Sequence, residues 1–76
     1  MESINPSQRT RGAYLRQVRH SKDLTIETVA TDLGYSATAI ATLERTGNTK
    51  LATFIEVVDY YKLPKVVVLD LMGLSI

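Results

Sequence analysis

The sequence contains no cysteine and a single histidine, His20. Disulfides and thiolate metal sites are therefore excluded, and one imidazole cannot assemble a zinc site alone. No metal or cofactor is expected. No apolar run approaches the ~18 residues that a membrane span requires. Residues 1–7 show no positive stretch followed by an apolar one, so no secretory signal is expected. The expectation is a soluble, cytoplasmic, nucleoid-associated protein with no membrane partner. Carboxylates are scattered and no glycine-rich phosphate loop occurs, so no enzyme is expected either. Net charge is also small, at +1, and by itself indicates no partner.

The distribution of charge is more informative. Residues 1–22 carry five arginines and lysines against one glutamate, whereas residues 23–76 carry four against seven acidic groups. One end of the chain is thus basic, as a phosphate-facing surface would be. The same pattern would also arise from ordinary scatter on a solvated helix face. The length of 76 residues fits one domain, and an apolar fraction of 45% is enough for a core.

Hydrophobic periodicity is helical throughout. Residues 1–10 are polar and read as a mobile tail. From Arg11 to Lys22, Tyr14, Leu15 and Val18 form one stripe. Thr25 is an N-cap for a second helix, whose inward residues Ile26, Val29, Ala30 and Leu33 repeat at three, four and seven. Gly34 stands where a left-handed C-cap belongs. Ser36 caps a third helix from Ala37 to Arg45, with Ile40 and Leu43 inward. Thr46-Gly47-Asn48-Thr49 is turn chemistry. Leu51, Phe54, Ile55, Val58 and Tyr61 form a fourth stripe, closed before Pro64. Residues 64–71 suit a fifth helix, since Pro64 fits a first turn. Val66-Val67-Val68 would equally suit a strand.

The informative unit is residues 24–43: two short helices separated by Gly34-Tyr35-Ser36. Ala30, on the buried side of the first, permits the close backbone approach that a steep crossing needs. Such a pair leaves the outer side of the second helix free to enter a major groove about 12 Å wide. A plain helical hairpin inside a bundle is the alternative.

These residues carry a resemblance. Gly12-Ala13-Tyr14-Leu15-Arg16-Gln17-Val18-Arg19, then Leu24-Thr25, Ala30, Leu33-Gly34-Tyr35-Ser36, Ile40, and Leu43-Glu44-Arg45 with Gly47 resemble the Cro/C1-type (XRE-like) helix-turn-helix family of phage repressors and bacterial regulators. The resemblance covers residues 11–71. It implies an all-α, lambda-repressor-like bundle of five helices, with the second and third forming the motif. It also implies binding to a two-fold symmetric DNA site as a homodimer. Ser36, Ala37, Thr38 and Thr42 would face bases. Thr25 would lie near a phosphate, and Asn48, Thr49 and Lys50 near the other phosphate strand. Arg19 and Glu44 match a structural ion pair.

Three departures stand out. Ile26 occupies a position where family members often carry glutamine, and Thr46 is an extra residue before Gly47. The third helix also presents no arginine, lysine, asparagine or glutamine among its base-facing residues, although these side chains make the bidentate base contacts. Methyl contacts from Ala37, Ala39, Thr38 and Thr42, together with DNA shape, would have to carry specificity. Arg9, Arg11, Arg16, Arg45 and Lys50 are the expected phosphate contacts. The C-terminal apolar residues Tyr60, Tyr61, Val67, Leu71, Leu74 and Ile76 are the expected dimer surface, in a domain spanning residues 11–76. The functional expectation is a transcriptional repressor. Two alternatives are an antitoxin that autoregulates its operon and binds a toxin, and a protein-binding adapter with weak DNA binding.

Overall fold

A computed structural model describes residues 6–73, with side chains from residue 11 onward. It contains five helices: α1 (Pro6–Ser21), α2 (Ile26–Leu33), α3 (Ala37–Thr46), α4 (Leu51–Tyr60) and α5 (Lys65–Leu71). Among the described residues there is no strand, and no helix is long and apolar enough to cross a membrane.

Local chemistry explains most of the boundaries. Pro6 opens α1, where its missing N–H costs nothing and its fixed φ suits the first turn. The helix thus begins five residues before the expected start at Arg11, and residues 6–10 of the expected tail are its first turns. Residues 1–5 of that tail lie outside the described residues. Arg19 in the last turn of α1 complements the helix dipole. Thr25 caps α2, its Oγ1 accepting from the Thr28 amide at 3.1 Å. Ser36 caps α3 in the same way, accepting from the Ala39 amide at 3.1 Å. Gly34 and Gly47 end α2 and α3 in the left-handed region, at φ 80° and 71°.

Residues 66–68 are helical, so the strand alternative is not what forms. Pro64, at φ −61°, precedes the first turn of α5, and Val68 and Leu71 pack on the core from it. Tertiary packing thereby overrides the β-branched preference of the valines.

The core consists of Leu15, Val29, Ala30, Ile40, Leu43, Phe54, Val57, Val58 and Tyr61. On α4 the inward stripe is Phe54, Val57, Val58 and Tyr61, so Val57 takes the place expected for Leu51 and Ile55. Leu51 and Ile55 are left 60% and 48% exposed. Two apolar stripes compete on this helix, and the one containing Val57 joins the core. Tyr61, expected at a dimer surface, is instead 3% exposed in the core. It directly follows α4 and continues that helix's inward stripe.

Packing of α1 on α3 rests on Gly12. A Cβ there would lie 2.5 Å from the Glu44 carbonyl oxygen, 2.7 Å from that of Leu43 and 2.9 Å from the Gly47 nitrogen. Hydrogen in place of a side chain lets the two backbones touch.

Candidate nucleic-acid interface

Three residues, 34–36, separate α2 from α3. The inward side of α3 is Ile40, Leu43 and Glu44, all buried. Its other side carries the residues expected at bases: Ser36, Thr38 and Ala39 are exposed, while Ala37 and Thr42 are half-buried. This surface is shallow, lined by methyls and hydroxyls, with Arg45 exposed at its C-terminal end. Side chains this small would let a helix backbone approach a groove floor closely.

Beneath the helix ends, Arg19 and Glu44 are joined by a forked contact. Arg19 Nε donates to Glu44 Oε2 at 2.7 Å and Nη2 to Oε1 at 3.0 Å. Arg19 Nη1 also donates to the Leu24 carbonyl at 2.8 Å. The hydrogen bond to Glu44, opposed in part by burial, holds the Arg19 guanidinium above its ordinary value. Both residues are buried, at 7% and 8% exposure. One guanidinium thereby ties the end of α1, the start of the α2 approach and the end of α3. The hydroxyl of Tyr61, beside this pair, is pushed up to about 12, first by burial and then by the Glu44 charge.

Outside the pair, a crevice of about 780 Å³ lies between α1 and α3, its wall including Arg16, Gln17, His20, Ile26 and Arg45. Arg16 and Arg45, expected at phosphates from distant parts of the sequence, therefore share one basic opening. Gln17 and His20 stand in it as well, and sequence reasoning assigned neither a binding role. The only signal available was their place on the outward side of α1, which many solvated residues share. The Ile26 side chain partly packs on the core and partly forms this wall.

Residues 47–50 form the connection from α3 to α4. Asn48 and Lys50 are exposed and Thr49 is half-buried. The extra Thr46 has a structural use here: its hydroxyl donates to the Thr42 carbonyl at 2.8 Å and accepts from the Asn48 amide at 3.1 Å. Lys50 occupies the N-cap of α4 without a side-chain cap.

Other expected contacts lie elsewhere. The Thr25 hydroxyl is exposed but engaged in capping, and it donates to Thr28 Oγ1 at 2.9 Å. Arg11 turns inward: its Nε donates to the Gly47 carbonyl at 3.0 Å, Nη2 reaches the same oxygen, and the guanidinium lies 5.1 Å from the Phe54 ring centre. The side chain of Arg9 lies outside the described residues, as do Leu74 and Ile76. Tyr60 is half-buried, and its hydroxyl donates to Asp32 at 2.6 Å. Val67 and Leu71 are half-buried as well.

A family model described as a helix-turn-helix domain matches residues 12–71. The chain belongs to the helix-turn-helix domain family. The matched span is nearly the one over which the residues carry their resemblance. No curated protein and no solved structure matches the chain. For a helix-turn-helix domain with this span, DNA binding is the supported activity, and the exposed side of α3 is the surface to consider first.

Proposed function

We propose that this helix-turn-helix domain is a sequence-specific transcriptional regulator of the Cro/C1 type, acting as a repressor by occupying a two-fold symmetric operator as a homodimer. In this reading α2, the 34–36 segment and α3 form the motif, and α3 enters the major groove. The observation that carries the reading is the exposed side of α3. It holds Ser36, Thr38 and Ala39 free of the core, and it is flanked by Arg16 and Arg45 on one side and by Asn48 and Lys50 beyond its end.

Phosphate contacts from these cations supply affinity and salt dependence. Hydroxyls and methyls on α3 supply modest direct readout, so DNA shape contributes much of the specificity. A dimer is favoured by apolar surface left over from the monomer. Leu51 and Ile55 on α4, and Val66 and Leu69 on α5, are exposed, and α5 has no fully buried residue. These four replace Tyr61 in the proposed dimer surface, with Val67 and Leu71 beside them. The antitoxin alternative drew on a C-terminal strand, and those residues form α5. The adapter alternative retains one support, the missing amide and basic side chains at the base-facing positions of α3.

Selection of bound duplexes from a random pool tests the proposal. A two-fold symmetric consensus is expected. Recovery of no duplex, even in dilute buffer, would favour the adapter.

A further inference from the structure

Arg11 sits in the basic N-terminal third of the sequence, where a phosphate contact is the obvious assignment. Its geometry is different. The guanidinium donates through Nε, at 3.0 Å, and through Nη2 to one acceptor, the carbonyl of Gly47. That residue is the left-handed cap at the end of α3. Carbonyls at a helix C-terminus lack partners within the helix, so a fork of N–H donors fits them well. On its other side the guanidinium covers the ring of Phe54, 5.1 Å from the centroid. Phe54 is a core residue in the first turn of α4.

One side chain thus holds the start of the connection formed by residues 47–50 and the first turn of the helix that follows it. The adjoining Gly12 presses α1 against the Leu43 and Glu44 carbonyls and the Gly47 nitrogen. Arg11 is therefore delivered to this place by a close α1–α3 backbone approach. The planar fork and the ring stacking are both properties of arginine that lysine lacks.

We propose that Arg11 is a positioning residue, which fixes the 47–50 connection in its DNA-ready shape and makes no phosphate contact of its own. This rests on the reading of Asn48, Thr49 and Lys50 as phosphate-facing. A connection ordered before binding does not have to be ordered during binding, so it contributes affinity without contributing charge neutralisation.

The test uses wild type, Arg11→Ala, Arg11→Lys and Arg16→Ala, all at a temperature where circular dichroism shows them folded. Affinity for labelled random-sequence duplex DNA is measured across a salt series, and amide exchange of residues 48–50 is followed without DNA. Arg11→Ala is expected to bind roughly three- to tenfold more weakly with an unchanged salt slope. Arg16→Ala, in contrast, should lower that slope by about 0.9. Arg11→Lys keeps the charge and should not recover the affinity. Amides 48–50 should exchange faster in both Arg11 variants. A slope reduced by one contact in Arg11→Ala, or full rescue by lysine, would overturn the proposal and make Arg11 a phosphate ligand. Unchanged exchange and affinity would overturn it as well. A wild-type chain that binds no duplex at low salt would instead remove the DNA-binding reading beneath it.

Discussion

At the scale of single residues, Gly12 and Tyr61 show how position sets a side chain's effect. In an isolated helix Gly12→Ala would gain about 1 kcal/mol of propensity. Here the new Cβ would meet backbone oxygens at 2.5 and 2.7 Å, which cannot swing aside as a side-chain tip can. Overpacking of this kind costs about 1–3 kcal/mol, and contact with backbone at such distances belongs at the upper end. Gly12→Ala should therefore lower the melting temperature by thermal denaturation, and an unchanged or raised value would contradict the α1–α3 contact.

Tyr61 links the core to alkaline stability. Burial and the Glu44 charge raise its hydroxyl from the ordinary 10 to about 12, while the nearby Arg19 charge acts in the opposite direction. The fold thus favours the neutral phenol. Its contribution is complete below pH 10 and is lost as pH climbs through about 12. Wild type should lose melting temperature across that window, and Tyr61→Phe should lose less. Tyr60, whose hydroxyl is also raised by its hydrogen bond to Asp32, leaves some slope in the variant. Equal slopes in the two proteins would show that Tyr61 is not the group responsible.

At the scale of elements, the readable boundaries are those made by local chemistry. Thr25, Gly34, Ser36 and Gly47 cap or end their helices as residue type dictates, because each satisfies backbone groups within a few residues of itself. The start of α1 at Pro6 is also local, but no apolar stripe marks the first turns there. Features set at long range were less readable. The choice of Val57 over Ile55 as the inward residue of α4 depends on where the rest of the core lies, and the helicity of Val66–Val68 depends on the core beneath α5. The same division holds for the interface. The exposure of Thr38 follows from helical spacing, whereas the inward turn of Arg11 depends on a carbonyl 36 positions away in sequence.

One element boundary carries removable strain. Lys62, just after α4, adopts φ 56°, a region costing a non-glycine residue roughly 1–2 kcal/mol. Glycine there would relieve this while adding unfolded-chain entropy of about 0.5–1 kcal/mol. Lys62→Gly should raise stability by about 0.5 kcal/mol, read from denaturant unfolding. Destabilisation would mean that the lysine stem contributes packing of greater value than the strain.

At the scale of the whole molecule, surfaces of different character lie on different elements. The exposed side of α3 is small and polar, the α1–α3 crevice beside it is basic, and the α4 and α5 surfaces are apolar at Leu51, Ile55, Val66 and Leu69. Net charge of only +1 conceals this arrangement, since binding responds to local potential more than to the total. The exposed side of α3 is the surface proposed to meet DNA. The most direct test of that proposal is to follow backbone amide resonances while duplex DNA is added at low salt. Shifts are expected to concentrate at residues 36–42 and 48–50 and at Arg16 and Arg45. Shifts confined to α5, or none at all, would contradict it.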